Sequence, residues 1–283
     1  MYLVIGATGN VGGPVARQLH DHGQHVRALV RDPSRAAVSL PAGVELTVGD
    51  LDDPGSVAKA AAGAEAIFLM QVGGGMEQTR AVVAAAQDAA VPRIVLLSSA
   101  GARLLPLDGN PMGVALAARE QILRESGLGA TYLRPMAFAS NSFGWRDSIR
   151  AGKVTDPTGD GRLGVIDPED IARVAVAVLT EDGHVGKGYL LTGPEALTAR
   201  EQVQIIAEVT GRSIDFEDVT PHEFAQAAIG RGTPPEQAHL FERLNEVLRA
   251  RLAVNITDDV ENITGTAPAT FRSWAERNAG AFR

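Results

Sequence analysis

Tyr2-Leu3-Val4-Ile5-Gly6-Ala7-Thr8-Gly9-Asn10-Val11-Gly12-Gly13-Pro14 opens the chain, and its reading decides the fold. Four apolar residues make a short buried strand, after which Gly6, Gly9 and Gly12 form a turn with few Cβ atoms. Beyond it Val11, Val15 and Leu19 recur every four residues, one face of a helix. Pro14 suits the first helical turn, where its missing N–H is not needed. Strand, glycine turn and helix in this order make a dinucleotide-binding start. The first glycine permits the tight turn, the second lets the backbone approach a pyrophosphate, and the third lets helix and strand pack closely. The helix N-terminus adds N–H groups and a partial positive charge. A glycine triplet by itself also fits an ordinary turn; the strand before it and the periodic helix after it point to a nucleotide.

Composition narrows the function classes. A chain of 283 residues can bury a sizeable core, and 45% hydrophobic against 21% charged residues is ordinary for a globular protein. The net charge of −8, with no basic cluster beyond Arg249 and Arg251, argues against nucleic acid and anionic membranes. With no cysteine there is no disulfide, thiolate nucleophile or cysteine metal site. No run approaches the roughly 18 apolar residues of a membrane span. The first strand begins at residue 2, which leaves no room for a signal peptide and makes a cytoplasmic location the expectation.

The pattern then repeats. Val26–Val30 is a second strand, Val44–Val48 a third, Ala66–Met70 a fourth and Ile94–Leu97 a fifth. Helices lie between: one behind Asp53-Pro54 ending near Gly63, one over residues 77–90, one over 113–126 closed by Gly127. Thr131–Leu133 is the next strand, stopped by Arg134-Pro135-Met136. Asp167-Pro168 starts a helix carrying Ile171, Val174 and Val178, and Tyr189–Leu191 is a further strand. Alternating β and α elements imply a doubly wound, parallel α/β sheet of the Rossmann type. From Thr198 the character changes. Thr198 and Glu201 make a capping box for a helix ending at Gly211, followed by a strand near 214–219 and helices near 222–229 and 236–252. Phe271 and Trp274, three residues apart, read as a helix anchor on the core. The expected division is a nucleotide-binding domain over residues 1–153, with the remaining sheet elements and a small C-terminal α/β lobe in 154–283.

The end of the second strand bears on the cofactor. A carboxylate there bonds the ribose 2′-OH of NAD, whereas an arginine suits the 2′-phosphate of NADP. Arg31 follows Val30 directly and Arg35 lies four further on, while Asp32 stands one position late. NADP(H) is the expected cofactor, with NAD(H) possible and two solvated arginines as the plain alternative.

The chain resembles the NmrA-like, NAD(P)-binding group of atypical short-chain dehydrogenases. The resemblance is carried by Gly6–Gly12, Val26–Arg31, Gly49-Asp50-Leu51, Glu120 with Gly127–Pro135, Asp170-Ile171-Ala172 and Tyr189–Pro194, which span most of residues 2–215 in order. By that resemblance Gly6, Thr8, Gly9, Asn10, Val11 and Gly12 form the pyrophosphate turn. Arg31 contacts the adenine and 2′-phosphate, and Asp50-Leu51 edge the adenine. Gln71 and Ser98 line the riboses, and Pro135-Met136 meet the nicotinamide.

Better-known relatives reduce carbonyls with a tyrosine and, four residues later, a lysine that lowers the phenol pKa. Tyr2, Tyr132 and Tyr189 are followed at that spacing by Gly6, Met136 and Gly193, and the only lysines are Lys59, Lys153 and Lys187. The stretch where the family's active-site helix would carry the pair, Met112–Ala117, has no ionisable group. Two classes remain. One is an oxidoreductase passing hydride from NAD(P)H to a small acceptor that needs little proton assistance; quinones qualify, and several NmrA-like proteins look like quinone reductases. The other is a non-catalytic sensor that binds NAD(P) and acts through a protein partner. Ser98 and Ser99 could donate a hydrogen bond to a substrate oxygen or simply form a strand-end turn. Phe138, Asn141 and Trp145 could wall a substrate, although core packing explains Trp145 and Phe143 equally. His20, His22 and His25, at a helix end and in its turn, read as solvated side chains and not metal ligands; His222 has no evident partner. A monomer or homodimer fits this chain.

Overall fold

The structure is a computed structural model that describes residues 1–71, 73, 75–103, 111–250 and 256–283. Its strands and helices alternate as the periodicity predicts. They are β1 (Tyr2–Ile5), α1 (Gly12–Asp21), β2 (Val26–Val30), α2 (Pro33–Ser39), β3 (Glu45–Val48), α3 (Pro54–Ala61), β4 (Ala66–Leu69), α4 (Met76–Asp88), β5 (Arg93–Leu97), α5 (Pro111–Glu125) and β6 (Gly129–Pro135). There follow β7 (Ala137–Phe138), α6 (Arg146–Arg150), β8 (Lys153–Asp156), β9 (Leu163–Ile166), α7 (Pro168–Thr180), β10 (Gly188–Leu191), β11 (Ala196–Leu197) and α8 (Ala199–Thr210). The last elements are β12 (Asp215–Asp218), α9 (Pro221–Gly230), α10 (Pro235–Arg249), α11 (Asp259–Thr264) and α12 (Phe271–Arg277).

Seven parallel strands form one sheet in the order β10-β6-β5-β4-β1-β2-β3. The chain starts in the middle, fills one side with β2 and β3, then crosses to β4 and fills the other. This is the doubly wound plan, with its switch point between β1 and β4. Successive residues of each strand face opposite layers, so one strand feeds two cores. Val4, Phe68, Val95 and Leu133 meet Val15, Leu19, Val174 and Val178 of α1 and α7. Leu3, Ile5, Ile67, Leu69, Ile94 and Leu96 meet Val57, Val82, Ala86 and Leu123 of α3, α4 and α5. Burial on both faces explains why these strands read as continuous apolar runs.

A third core lies apart from the sheet. Ile149, Val154, Val165, Val203, Ile206, Phe271, Trp274 and Phe282 close on one another, with β7, β9 and β11 in one small sheet and β8 and β12 in another. Trp274 is 3% exposed, the anchor its spacing predicts. The Thr198–Glu201 capping box is formed in both directions.

Two sequence expectations are corrected, and one helix is additional to them. Strand β6 is not stopped at Arg134; it runs to Pro135, which pairs with Leu191 at the end of the ladder, and Met136 N–H donates to the Leu191 carbonyl at 3.0 Å. Helix α2 was not expected, although Asp32-Pro33 repeats the Asp-Pro start that correctly marked α3 and α7. His222 does have a partner, since its Nδ1 lies 2.9 Å from Glu242 Oε1.

Candidate functional site

The exits of β1 and β4 lie side by side, because Ile5 pairs with Leu69 and Met70 N–H donates to the Ile5 carbonyl at 3.2 Å. The glycine turn sits over this junction. Gly6 has φ +87°, and a Cβ there would lie 3.0 Å from Met70 Cβ, so both backbone and space call for glycine. A Cβ on Gly12 would stand 2.1 Å from the Gly6 carbonyl oxygen, a backbone atom that cannot yield. Gly9 N–H closes the turn on the Gly6 carbonyl at 3.0 Å. Helix α1 begins with Val11 at its N-cap and no side-chain cap bond. Its first amide groups therefore lack the usual side-chain acceptor, as an anion site requires. Thr8 and Asn10 are exposed at the rim, while Val11 is buried beneath it. This cradle, closed to a Cβ at Gly6 and Gly12, fits the pyrophosphate of a dinucleotide.

At the next exits Gly49 N–H donates to the Val30 carbonyl at 3.0 Å, which places Arg31 and Asp50 on the same rim. Asp32 is spent on local structure: Oδ1 accepts from Ser34 N–H, Ser34 Oγ–H and Arg35 N–H at 2.6–3.1 Å. These bonds, the Ser34 hydroxyl first among them, hold its carboxyl below the ordinary range. Arg31 and Arg35 are exposed. Asp50 Oδ1 accepts Asp52 N–H at 3.0 Å, and Leu51 packs on the α3 side of the sheet. One oxygen of the Asp32 carboxylate is thus engaged locally, whereas the guanidinium groups of Arg31 and Arg35 are exposed.

On the other side of the switch point, two adjacent residues of α5 reach three strand exits. Arg119 donates to the carbonyls of Gln71 (3.3 Å) and Gly73 (2.5 Å) after β4. Glu120, fully buried, accepts the Ser98 hydroxyl at 2.7 Å after β5 and a bidentate pair from Arg134 of β6 at 2.8 Å each. Arg103 and Arg124 approach the same carboxylate at 3.4 and 3.5 Å. Burial pushes the Glu120 carboxyl up, but the hydrogen bonds from Arg134 and Ser98 and the charges of Arg134 and Arg103 outweigh it and leave it low. Sequence reasoning placed Glu120 and Arg134 in motifs without giving them work. Their contact joins separate elements, and the only signal was an acidic residue on a helix that otherwise faces the sheet.

Other expected residues fall as follows. Gln71 stands at the β4 exit, but its side chain turns inward, taking the Thr79 hydroxyl at 2.8 Å and donating to Gly75 at 3.0 Å. Ser99 caps the turn at 100–102 by accepting Gly101 N–H. Pro135 is buried, and the Met136 thioether accepts Gly164 N–H at 3.3 Å. Asn10 Nδ2 reaches Ser140 Oγ at 3.4 Å and links the glycine turn to the segment Ala139–Trp145. In that segment Asn141 is exposed. Phe143 packs on Trp274 and Phe282 with ring centroids 5.1 and 5.7 Å apart, and Trp145 lies half-buried against the same core. Phe138 is half-buried on the α1/α7 side. Of the N-terminal histidines, His22 bonds the Gln18 carbonyl and His25 lies 3.4 Å from Glu45. Among the described residues no three His, Cys, Asp or Glu side chains are placed to hold a metal ion. Nor is any helix among them long and apolar enough to cross a membrane.

A sequence profile of NAD(P)H-binding proteins matches residues 6–182, from the first glycine of the turn to the end of α7. The chain belongs to this NAD(P)H-binding family. The (4-alkanoyl-5-oxo-2,5-dihydrofuran-3-yl)methyl phosphate reductase of Streptomyces griseus is 37% identical over the whole chain and 99% of its own length. The NAD(P)H azoreductase of Xenophilus azovorans is 32% identical, again over the whole chain and 99% of that protein. Among solved structures, the NADPH-dependent quinone oxidoreductase of Escherichia coli, complexed with NADPH, superposes with a TM-score of 0.85. It is 24% identical, over 98% of this chain and 99% of that one. The family expectation and the doubly wound fold both stand, and these relatives are named as reductases and not as sensors.

Proposed function

We propose that this chain is an NADPH-dependent reductase whose acceptor is a small, electron-poor conjugated molecule of the quinone kind. The observation that carries the reading is the state of the groups that could move a proton. Tyr132 is buried, its hydroxyl 3.3 Å from the Glu120 backbone carbonyl, and burial pushes its pKa up. The Tyr189 hydroxyl pairs with His184 Nδ1 at 2.7 Å, and burial raises its pKa too. Lys59 and Lys187 are exposed, and Lys153 pairs with Glu217 at 3.0 Å. Glu120, its carboxyl held low by Arg134 and Ser98, accepts the Ser98 hydroxyl among arginines. No tyrosine–lysine pair serves the crevice in this reading.

Such a site suits acceptors that stabilise their own negative charge. NADPH supplies hydride when bound; the protein binds, orients and excludes water. Gly6, Thr8, Gly9, Asn10, Val11 and Gly12 would hold the pyrophosphate, Arg31 with Arg35 the 2′-phosphate, and Asp50-Leu51 the adenine edge. The exits at Gln71, Ser98 and Pro135-Met136 would hold the riboses and nicotinamide. Residues 154–283 would close the substrate side, with Phe138, Asn141 and Trp145 nearest to it. The named substrates of the relatives share the required chemistry: an alkanoyl furanone, an azo compound and a quinone each spread added charge over a conjugated system.

The test is NADPH consumption, followed by absorbance, with quinones, azo dyes, an acylated butenolide and simple aldehydes. Turnover of conjugated acceptors with aldehydes left untouched supports the reading. Equal turnover of simple aldehydes refutes it, because an isolated alkoxide needs an acid.

A further inference from the structure

Helix α5 carries a buried carboxylate, Glu120, whose partners come from the β5 exit, β6 and its own helix. Both oxygens of the Glu120 carboxylate are engaged: Oε1 accepts from Ser98 and Arg134 Nε, Oε2 accepts from Arg134 Nη2, and the Arg103 and Arg124 guanidinium groups lie 3.4 and 3.5 Å from Oε2. An ionised carboxylate only accepts, so the Ser98 hydroxyl must be the donor of their 2.7 Å bond. Its one proton is thereby committed, and Ser98 Oγ can offer only lone pairs to anything else.

We propose that Glu120 is a positioning residue that, through Ser98, presents a hydrogen-bond acceptor to the cofactor's nicotinamide-riboside end and carries no proton in the reaction. This rests on the NADPH reading above. A substrate carbonyl facing Ser98 Oγ would set lone pair against lone pair, so Ser98 does not polarise the acceptor. A ribose hydroxyl or a carboxamide N–H is a donor and is received. Arg134 makes the arrangement rigid by a second route. It grips both oxygens of Glu120 from β6, whose end, Pro135-Met136, borders the same crevice. Ser98 N–H in turn donates to the Leu133 carbonyl at 2.7 Å, so the β5 and β6 exits move together.

The experiment compares Ser98→Ala, Ser98→Thr, Glu120→Gln and the double variant Ser98→Ala/Glu120→Gln. It measures NADPH dissociation constants by fluorescence titration and the pH profile of kcat with a quinone. Loss of one neutral hydrogen bond weakens NADPH about fivefold in Ser98→Ala, and Ser98→Thr restores most of it. Glu120→Gln weakens NADPH comparably on its own but less than about twofold further when Ser98 is already alanine, the mark of residues acting as one unit. The pH profile keeps its shape in every variant. If the effects simply add, or if an acid limb of kcat disappears in Glu120→Gln, the proposal is overturned. Should Glu120→Gln fail to fold, Ser98→Ala and Ser98→Thr decide alone: binding unchanged in Ser98→Ala overturns it. Failure of the unsubstituted protein to bind NADPH overturns the cofactor reading itself and is distinguishable from these outcomes.

Discussion

Arg31→Ala should separate the two nicotinamide cofactors. Asp32, next to Arg31 in the chain, has its Oδ1 filled by three local donors of α2, which holds the side chain to the start of that helix. Arg31 is exposed, so holding a phosphate there strips little water from the guanidinium. A charge-assisted hydrogen bond contributes about 1.5–3 kcal/mol. Solvent exposure puts this one at the lower end, so removing it should weaken NADPH about tenfold to thirtyfold. NADH, which lacks the phosphate, should change by less than about twofold. Titration of protein fluorescence with each cofactor at low salt measures both constants. Repeating it at higher salt should shrink the NADPH difference, because an exposed ion pair is screened. An equal loss for NADH and NADPH would refute the argument and return Arg31 to the solvated surface.

Further outcomes follow from the packing. Gly12→Ala drives a Cβ to 2.1 Å from the Gly6 carbonyl oxygen, so it should abolish measurable binding of either cofactor and lower the melting temperature. Trp274→Ala empties the centre of the third core and should cost about 3–5 kcal/mol in urea denaturation. Asp170, buried and accepting Ala269 N–H, has its carboxyl pushed up by burial, so its ionisation costs stability as pH rises through its folded pKa. Asp170→Asn should therefore lose less stability than the unsubstituted protein as pH rises above the unfolded carboxylate value, read in urea titrations. Glu120 has the opposite sign: its carboxyl is held low, so its contribution is present above the unfolded value and lost as pH falls through the folded one.

The fold was legible because each rule involved is local. Short continuous apolar runs wrote the central strands, and Asp53-Pro54 and Asp167-Pro168 announced their helices in two adjacent letters. Asp32-Pro33 carries the same two letters before a seven-residue helix, too short for an apolar face to repeat. The glycine turn was legible for the same reason, since Gly6 and Gly12 answer to backbone and strand only a few residues away. Side-chain direction was not. Gln71 stands at its expected exit yet points at Thr79 and Gly75, and Met136 turns its sulfur to Gly164. The Ser98–Glu120–Arg134 cluster joins residues 22 and 14 positions apart, and periodicity says nothing about which buried charges meet.

On the proposed reading that cluster also bears on what the crevice asks of its acceptor. If Ser98 serves only as an acceptor beside the buried carboxylate, the cluster offers no acid to charge arriving on the substrate. The barrier must then follow the acceptor's own capacity to hold charge. Across quinones of one shape with progressively electron-withdrawing substituents, kcat should rise steadily with the stability of the reduced anion. Water protonates that anion after the slow step, so kcat should be nearly the same in heavy and light water. A flat response to the substituents, with a large solvent isotope effect, would mean that a protein group delivers the proton in the transition state. The chemistry would then belong to a side chain outside the Glu120 cluster.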